Sequence, residues 1–376
     1  MKKKIQADSV IKFFVSIIGI FIIAFILSEL AHIFIPFVFA YFLFFLFSPL
    51  NFYFEKIKFP TVFIILIDVA IVVIIFLSIG GFLLDSFLRF SSDLQNYFDK
   101  INLIVRELAV DLKIRDPYFR SFSIQKIISK LDYKELAGGV FSSAFSITGS
   151  IFFVLLFFVF IVGGHHGFIE AIRKRYVQGK IESDFDESLE GNELNTTIDE
   201  NHTLTVKHST EIKLDNTFKA ITKQIQNYII SKIIINLATG IITAFALFLL
   251  DVDFPIIWGL LTFFLNFIPT IGSAVALILP TLMGIIQHDS LGYGVLIAAI
   301  MALIQTLAFN ITEPILLGRR LDLNPIMILL SVLIWGYIWG IAGMLLAVPL
   351  TAIIKIIISN SESPNLKFIS DLMDSD

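Results

Sequence analysis

Two uncharged stretches in the C-terminal half limit what this chain can fold into. The first covers residues 255–287 and the second residues 323–354. At about 1.5 Å of rise per residue, each would form a helix of roughly 50 Å, whereas the hydrocarbon core of a bilayer is about 30 Å thick. Each stretch is therefore too long for one straight crossing and too short for two full ones.

Both stretches also carry helix breakers near their middle. Residues 266–269, with Gly272 after them, interrupt the first stretch, and residues 335–340 interrupt the second with two Trp-Gly pairs. Irregular backbone survives at membrane depth only where protein or a water-filled cavity satisfies its polar groups. The sequence therefore predicts two re-entrant or discontinuous helices that line a solute path.

The overall composition is that of a membrane protein. Hydrophobic residues make up 56% of the chain and charged residues 16%, and the mean hydropathy is +0.85. Soluble domains carry about 25% charged residues. The chain has no cysteine, which excludes disulfides and thiolate metal sites. The lipid bilayer is the predicted partner, and nothing indicates nucleic-acid binding.

Further spans are marked by the absence of charge, and the basic N-terminus is interpreted as part of a retained first helix. Together with the two long stretches, these further spans predict an all-α membrane protein of about eight transmembrane segments. The other predicted spans are residues 12–29, 30–54, 61–84, 141–164, 233–250 and 291–312.

Six successive regions follow from this pattern. Residues 1–84 hold the first three transmembrane helices, 85–140 an extracytoplasmic helical insertion, 141–164 the fourth transmembrane helix, 165–232 a cytoplasmic linker and amphipathic helix, 233–358 the C-terminal transmembrane half with its broken helices, and 359–376 a cytoplasmic tail.

The polar regions have distinct patterns. Apolar residues recur at helical spacing after residue 85, and we expect that helix to break at Asp116-Pro117; it either packs on its neighbours or forms a lid or subunit contact. Residues 177–215 are acidic and predict a flexible linker. Residues 218–229 carry an apolar face and predict an amphipathic helix lying in the plane of the inner surface.

Lysine and arginine beside the spans predict the orientation. Basic residues at the N-terminus, in the loop with Lys56 and Lys58, and after the fourth span all favour the cytoplasm. The pair Arg319 and Arg320 also lies inside if the stretch at 255–287 enters and returns on the outer side. Both termini are then cytoplasmic.

Motifs of enzymes are largely missing from the sequence. The chain has no phosphate loop of the form Gly-x-x-x-x-Gly-Lys-Ser/Thr, so direct coupling to ATP by this chain is not expected. It has no His-Glu-x-x-His spacing, and its serines lack a nucleophile elbow. The adjacent His165 and His166 are interpreted as a helix end, with a proton or metal role as the alternative. No cofactor, metal or catalytic residue is predicted.

Polar residues inside the spans are costly unless they are partnered or hydrated. Thr306, Asn310 and Glu313 fall on one helical face, with Gln305 beside them, and Pro314 is expected to end that helix. Glu313 could bind a cation, carry a proton or accept a substrate donor; alternatively it pairs with Arg319 or Arg320.

Two milder polar features occur in other spans. Asn236, Thr239 and Thr243 form a stripe that helix–helix hydrogen bonds would explain. Asp68 lies about two turns into its span, either at the membrane interface or as a functional carboxylate.

Three ordered motifs in the C-terminal half resemble the autoinducer-2 exporter family of bacterial multi-pass proteins. The motifs are Asn266-Phe267-Ile268-Pro269-Thr270-Ile271-Gly272, then Glu313-Pro314 with Gly318, Leu321, Leu323 and Pro325, and finally Trp339-Gly340-x-x-Gly343-Met344 with Ala347-x-Pro349-Leu350. The resemblance implies an eight-spanning transport protein of the bacterial cytoplasmic membrane that forms homo-oligomers.

The broken helices predict a secondary exporter or permease for a small polar solute, driven by an ion gradient, and the resemblance implies a solute similar to autoinducer-2. The alternatives are a sodium or lithium/proton antiporter, a pore, and a non-transporting membrane scaffold. The candidate transport residues are Glu313, Asn310, Thr306, Gln305, Asn266, Pro269, Gly272, Pro314, Arg319 and Arg320.

Overall fold

The computed structural model describes residues 9–128, 149–164, 167, 170–171, 200–317, 323–359 and 364–374. These parts of the chain are almost entirely helical. In chain order the helices are α1 Ser9–Glu29, α2 Ala31–Lys56, α3 Thr61–Asp111, α4 Pro117–Arg120, α5 Ile124–Ile128, α6 Gly149–Gly164, α7 Glu200–Leu249, α8 Pro255–Leu265, α9 Ile271–His288, α10 Leu291–Thr306, a π-helical turn Leu307–Thr312, α11 Glu313–Leu317, α12 Pro325–Ser359 and α13 Pro364–Met373.

Six of the described helical segments are long and apolar enough to cross a membrane. They lie in α2, α3, α7, α9, the segment from α10 into α11, and α12. The apolar parts of α1 and α6 are shorter. A third shorter apolar helix is α8, and the predicted class of an all-α multi-pass membrane protein is confirmed.

Helices α8 and α9 form a re-entrant hairpin, called here the first hairpin, with its turn at residues 266–270. The Gln287 side chain, near the end of α9, accepts a hydrogen bond from the Asp253 backbone N–H at 2.7 Å and donates one to the Asp251 carbonyl at 2.7 Å. The start of α8 and the end of α9 therefore lie on the same side of the bundle.

Helix α12 is a second hairpin. Its backbone bends at Gly340, whose φ of 60° and ψ of −139° are readily adopted only by glycine. Across the bend the Trp335 indole N–H donates to the Thr351 hydroxyl at 3.2 Å. Both ends of α12 meet Asp374, because Leu323 forms a backbone bridge with it and Lys355 an ion pair. The predicted break in each long stretch is thus confirmed.

The two hairpins enter the bundle from opposite ends. The ends of the second pack with Ile229 of α7, whereas the ends of the first pack with Leu247. These two α7 residues are separated by roughly 27 Å of helix. Between them the tip of the first hairpin, at Ile268, packs on Val332 and Ala347 of the second. The turn of the first hairpin is therefore partly enclosed by protein, with Asn266 and Ile268 buried, whereas the bend of the second hairpin at Gly340 is exposed in the bundle.

Two expectations about helix boundaries are wrong. Helix α7 runs without interruption through residues 218–229, so that stretch is not a separate in-plane helix; Tyr228 and Ile229 are buried against α2 and α12 instead of lipid. The helix already includes residues 200–215 of the predicted linker, whose first part, residues 177–199, lies outside the described residues. The second wrong expectation concerns Pro314, which does not end its helix.

Residues 85–111 continue α3 beyond its apolar part, and this extension contacts α9. The break expected at Asp116-Pro117 falls between α3 and α4, where the Asp116 carboxylate accepts the Tyr118 N–H at 2.9 Å. Residues 129–148 lie outside the described part, so the predicted insertion is only partly visible.

Candidate functional site

A buried ion pair joins α7 to α11. The Lys232 ammonium lies 2.8 and 2.9 Å from the two carboxylate oxygens of Glu313 and 5.1 Å from the ring centroid of Phe309. The Lys232 side chain is 7% exposed and that of Glu313 is 25% exposed. Two charges in an apolar region are tolerated because each neutralises the other, and removing one leaves the other uncompensated.

Lys232 was not predicted as a site residue, because its charge was interpreted as the boundary between the amphipathic region ending at residue 232 and the span starting at residue 233. A signal was nevertheless present, since Lys232 is the only charged residue between Tyr228 and Asp251 and is flanked by apolar residues on both sides. The partners expected for Glu313, Arg319 and Arg320, lie outside the described residues.

The helix around Pro314 contains a π-helical turn at Leu307–Thr312. In a regular α-helix, a proline ring collides with the carbonyl four residues earlier, here that of Asn310. The extra residue in the π turn removes this conflict and changes the angular phase of the helix. Gln305 is buried, whereas Thr306, Asn310 and Pro314 are exposed. Thr306 and Asn310 thus do not share the buried face.

Three buried carboxamides lie in the helices around the ion pair. Asn236 belongs to α7, Asn266 ends α8, and Gln305 belongs to α10. Neither the amide nitrogen nor the oxygen of any of them has a hydrogen-bond partner in the described part of the chain. An unpartnered buried polar group costs about 1–3 kcal/mol. These side chains are therefore costly for stability and offer both donors and acceptors to a ligand.

The hydrogen bonds expected from the α7 stripe are also not found among the described residues. The Thr239 hydroxyl donates to the Ile235 carbonyl of its own helix at 2.8 Å. The Thr243 hydroxyl is buried and has no partner in the part of the chain that the structure describes. The stripe faces the protein interior without helix–helix hydrogen bonds from these side chains.

The packing of α7 on α8 sets the depth of Asn266 relative to α7. A Cβ on Gly240 would lie 2.6 Å from the Gly259 carbonyl, and one on Gly259 would lie 2.5 Å from the Gly240 carbonyl. Such close approach requires small residues. Since the helices are antiparallel, Asn266 falls beside residues 233–237 of α7. Gln305 lies eight residues before Glu313, on the order of 12 Å along the helix.

The tip of the first hairpin contains the other predicted residues. Pro269 is half-buried, and its carbonyl accepts the Thr270 hydroxyl at 2.7 Å. Thr270 has a φ of 58°, which is rare for a β-branched residue. A Cβ on Gly272 would overlap the Leu265 carbonyl oxygen, so only glycine lets α9 start this close to α8. The predicted tip residues thus shape the turn.

A cavity of about 520 Å³ borders the ion pair, and its size suits a small organic molecule. The cavity is lined mainly by apolar side chains of α2, α6, α7 and both hairpins, among them Phe39, Val154, Phe263 and Leu346, with Lys232 also in its wall. Of the ion pair and the three carboxamides, only Lys232 contributes to the cavity wall. Among the described residues, no group of three metal-ligating side chains is found.

The chain is similar to known proteins that are named as transporters. Residues 13–363 match the family model described as AI-2E family transporter. A Borreliella burgdorferi protein provisionally named a transport protein is 37% identical over 166 residues, which are 41% of this chain and 46% of that protein. The Escherichia coli "AI-2 transport protein TqsA" is 40% identical over 132 residues, which are 35% of this chain and 38% of that protein.

A third relative, YhhT of Escherichia coli, is provisionally named a transport protein and is 34% identical over 134 residues, 36% of this chain and 38% of that protein. Each of these matches spans less than half the length of the relative.

Proposed function

This chain belongs to the AI-2E transporter family, and on that premise we propose that it is a secondary transporter that moves a small polar solute across the membrane with an ion gradient as its energy source. The observation that carries the proposal is the buried ion pair of Lys232 and Glu313 beside the two re-entrant hairpins. Ion-coupled transport requires a group whose charge state favours one conformation over another, and we assign that role to this pair.

The ion pair supplies a mechanism for coupling. When Glu313 takes up a proton, Lys232 loses its counter-charge while it remains buried, so the protonated state favours a conformation in which the ammonium reaches water or an anionic group. By linkage, a solute that prefers the unprotonated, ion-paired conformation lowers the affinity for the proton by the same factor, so solute and proton bind alternately and move in opposite directions. Proton movement and solute movement are thereby joined without ATP.

The proposed solute class follows from the carboxamides. Asn236, Asn266 and Gln305 present buried donors and acceptors that are not used within the described protein, and hydroxyl or carbonyl groups of a small solute would pair with them. The name of the relative TqsA gives AI-2 as its cargo. We therefore propose a compact hydroxylated molecule of the autoinducer-2 type, moved outward.

The test is proton movement in inverted membrane vesicles that contain the protein. After a proton gradient is established, the solute is added and proton release is recorded for the wild type, Glu313→Gln and Glu55→Gln. Glu55 is an exposed carboxylate at the end of α2 and serves as the matched control. We expect release in the wild type and in Glu55→Gln and none in Glu313→Gln. Equal release in all three would overturn the role of Glu313.

A second candidate is sodium or lithium/proton antiport. It is favoured by the carboxamide oxygens of Asn236, Asn266 and Gln305, which could replace part of the hydration shell of a monovalent cation. In the same vesicles, sodium or lithium added without solute should then trigger proton release that is lost in Glu313→Gln. Release that requires the organic solute instead supports export.

We also propose that the α2–α3 connection and both termini face the bacterial cytoplasm and that the protein works as a homo-oligomer in the cytoplasmic membrane. Because the chain has no cysteine, a single cysteine placed at Ile57 or at Asp289 can be labelled without background. An impermeant thiol reagent applied to intact cells should label position 289 and leave position 57 unlabelled. Chemical cross-linking in the membrane would give the oligomer size.

A further inference from the structure

A second buried carboxylate lies in the N-terminal half, apart from the proposed transport site. Asp68 of α3 is fully buried, and the Asn51 side-chain amide of α2 donates a hydrogen bond to its Oδ2 at 2.8 Å. Asp68 lies seven residues after the start of α3, roughly 10 Å along the helix. Because its side chain is fully buried against α2, Asp68 is enclosed within the helix packing.

The two remaining oxygens of this pair are unpartnered. Asp68 Oδ1 and Asn51 Oδ1 are both buried, and neither has a hydrogen-bond partner in the part of the chain that the structure describes. Both atoms are acceptors when Asp68 is ionised. The missing partner of each is therefore a hydrogen-bond donor or a cation.

Apart from the Asn51 amide, the described surroundings offer no group that stabilises an anion. No lysine or arginine forms an ion pair with Asp68 among the described residues. Helices α2, α3 and α6 form an apolar cluster along the same interface, which includes Phe47, Val72 and Phe158. An isolated carboxylate buried among apolar groups is strongly disfavoured relative to its neutral acid.

We propose that Asn51 and Asp68 form a proton-binding site in which Asp68 is held as the neutral acid. A proton taken from water forms the Oδ1–H bond of Asp68, and this group donates to Asn51 Oδ1 while the Asn51 amide donates to Asp68 Oδ2. One proton thus satisfies both unpartnered oxygens. A hard metal cation would need several more oxygen ligands than the two available here.

The geometry links proton release to helix packing. Loss of the proton leaves a buried anion with a single hydrogen bond, so release requires water to reach Asp68 between α2 and α3. Proton occupancy at this site therefore favours the closed packing of these helices.

Infrared difference spectroscopy of the purified full-length protein in lipid tests the site directly. A neutral carboxylic acid has a carbonyl stretch well separated from the bands of a carboxylate. We expect that band in the wild type at neutral pH, its loss in Asp68→Asn, and its retention in Glu313→Gln. Asp68→Asn keeps a neutral side chain able to pair with Asn51, so the fold should be preserved.

A second variant keeps the test decisive if Asp68→Asn fails to fold. In Asn51→Leu the acid loses its amide partner, and its carbonyl band should move to the position of an acid without that hydrogen bond. Identical spectra at neutral pH for the wild type, Asp68→Asn and Asn51→Leu would overturn the proposal. A failure of Glu313→Gln to affect transport would leave this result unchanged, so the two proposals fail separately.

Discussion

The Tyr97 hydroxyl donates a 2.7 Å hydrogen bond to the Asp253 carboxylate, and this bond joins the extension of α3 to the start of the first hairpin. The Phe90 ring stacks on Tyr97 and meets Phe254 edge-on. Lys100, one turn further along α3, donates to the Gln287 carbonyl at 2.5 Å. The α3 extension thus contacts both ends of the first hairpin and restrains its position.

Replacing Tyr97 by Phe should weaken this contact while it keeps the aromatic packing. The expected loss of stability is about 1–2 kcal/mol, because the hydroxyl disappears and the half-buried Asp253 loses a donor. Thermal unfolding in detergent measures the effect. Tyr118→Phe is the matched control, since Tyr118 is exposed. An equal melting temperature for Tyr97→Phe and Tyr118→Phe would show that the bond does not stabilise the protein.

Removing one partner of the Lys232–Glu313 pair should destabilise the protein more than removing both. Lys232→Met leaves the Glu313 carboxylate without its counter-charge, with an expected loss of about 3 kcal/mol or more. The double variant Lys232→Met with Glu313→Gln has no buried charge left at this site and should recover most of that loss. Thermal unfolding of the four proteins of this cycle gives the interaction energy.

A transport measurement on the same variants distinguishes a coupling role of the Lys232–Glu313 pair from a purely structural one. If the pair couples proton movement to solute movement, the double variant stays inactive in the vesicle assay although its melting temperature recovers. If the pair serves only to hold α7 against α11, activity returns together with stability. Recovered activity in the double variant would therefore contradict the coupling role.

Replacing the buried carboxamides should affect transport and stability in opposite directions. Asn266→Leu and Gln305→Leu remove polar groups that have no partner among the described residues. The melting temperature should stay equal or rise, because the cost of burying those groups disappears. Solute flux should fall at least tenfold if they bind the solute. Asn96→Leu, at an exposed asparagine of α3, is the control for both readouts. Undiminished flux in both variants would remove them from the site.

The large-scale fold could be predicted because apolar stretches and helix breakers act locally. The breaks at residues 266–269 and at Gly340 were visible in the sequence, since Asn, Pro and Gly alter backbone geometry wherever they occur. The bundle end from which each hairpin enters depends on contacts between distant residues, such as Lys355 with Asp374. Lysine and arginine counts beside the spans give an expectation for the side on which each hairpin enters, but they do not contain these contacts.

The candidate site was less predictable, because tertiary contacts decide which polar groups can be buried. Lys232 is retained inside α7 by Glu313, a partner 81 residues away, so its charge does not mark a membrane boundary. The predicted face of Thr306 and Asn310 assumed a regular α-helix, and the π turn before Pro314 changes which residues turn inward. Neither effect can be read from periodicity alone.

A Cβ at Gly272 should disrupt the first hairpin. In Gly272→Ala the new methyl group would overlap the Leu265 carbonyl oxygen, and backbone cannot move aside as a flexible side chain can. The start of α9 must then shift away from α8, which also displaces the Asn266 side chain. We expect a loss of stability of about 3 kcal/mol together with loss of transport.

The matched control is Gly81→Ala, because Gly81 lies within helix α3 and a Cβ there has no neighbour within 4 Å. Alanine favours a helix over glycine by about 1 kcal/mol, so this variant should melt at the wild-type temperature or above it and keep its activity. The two substitutions make the same chemical change, and only the close approach at Leu265 distinguishes their sites. Equal melting temperatures for the two variants would mean that α8 and α9 do not pack this closely at the turn.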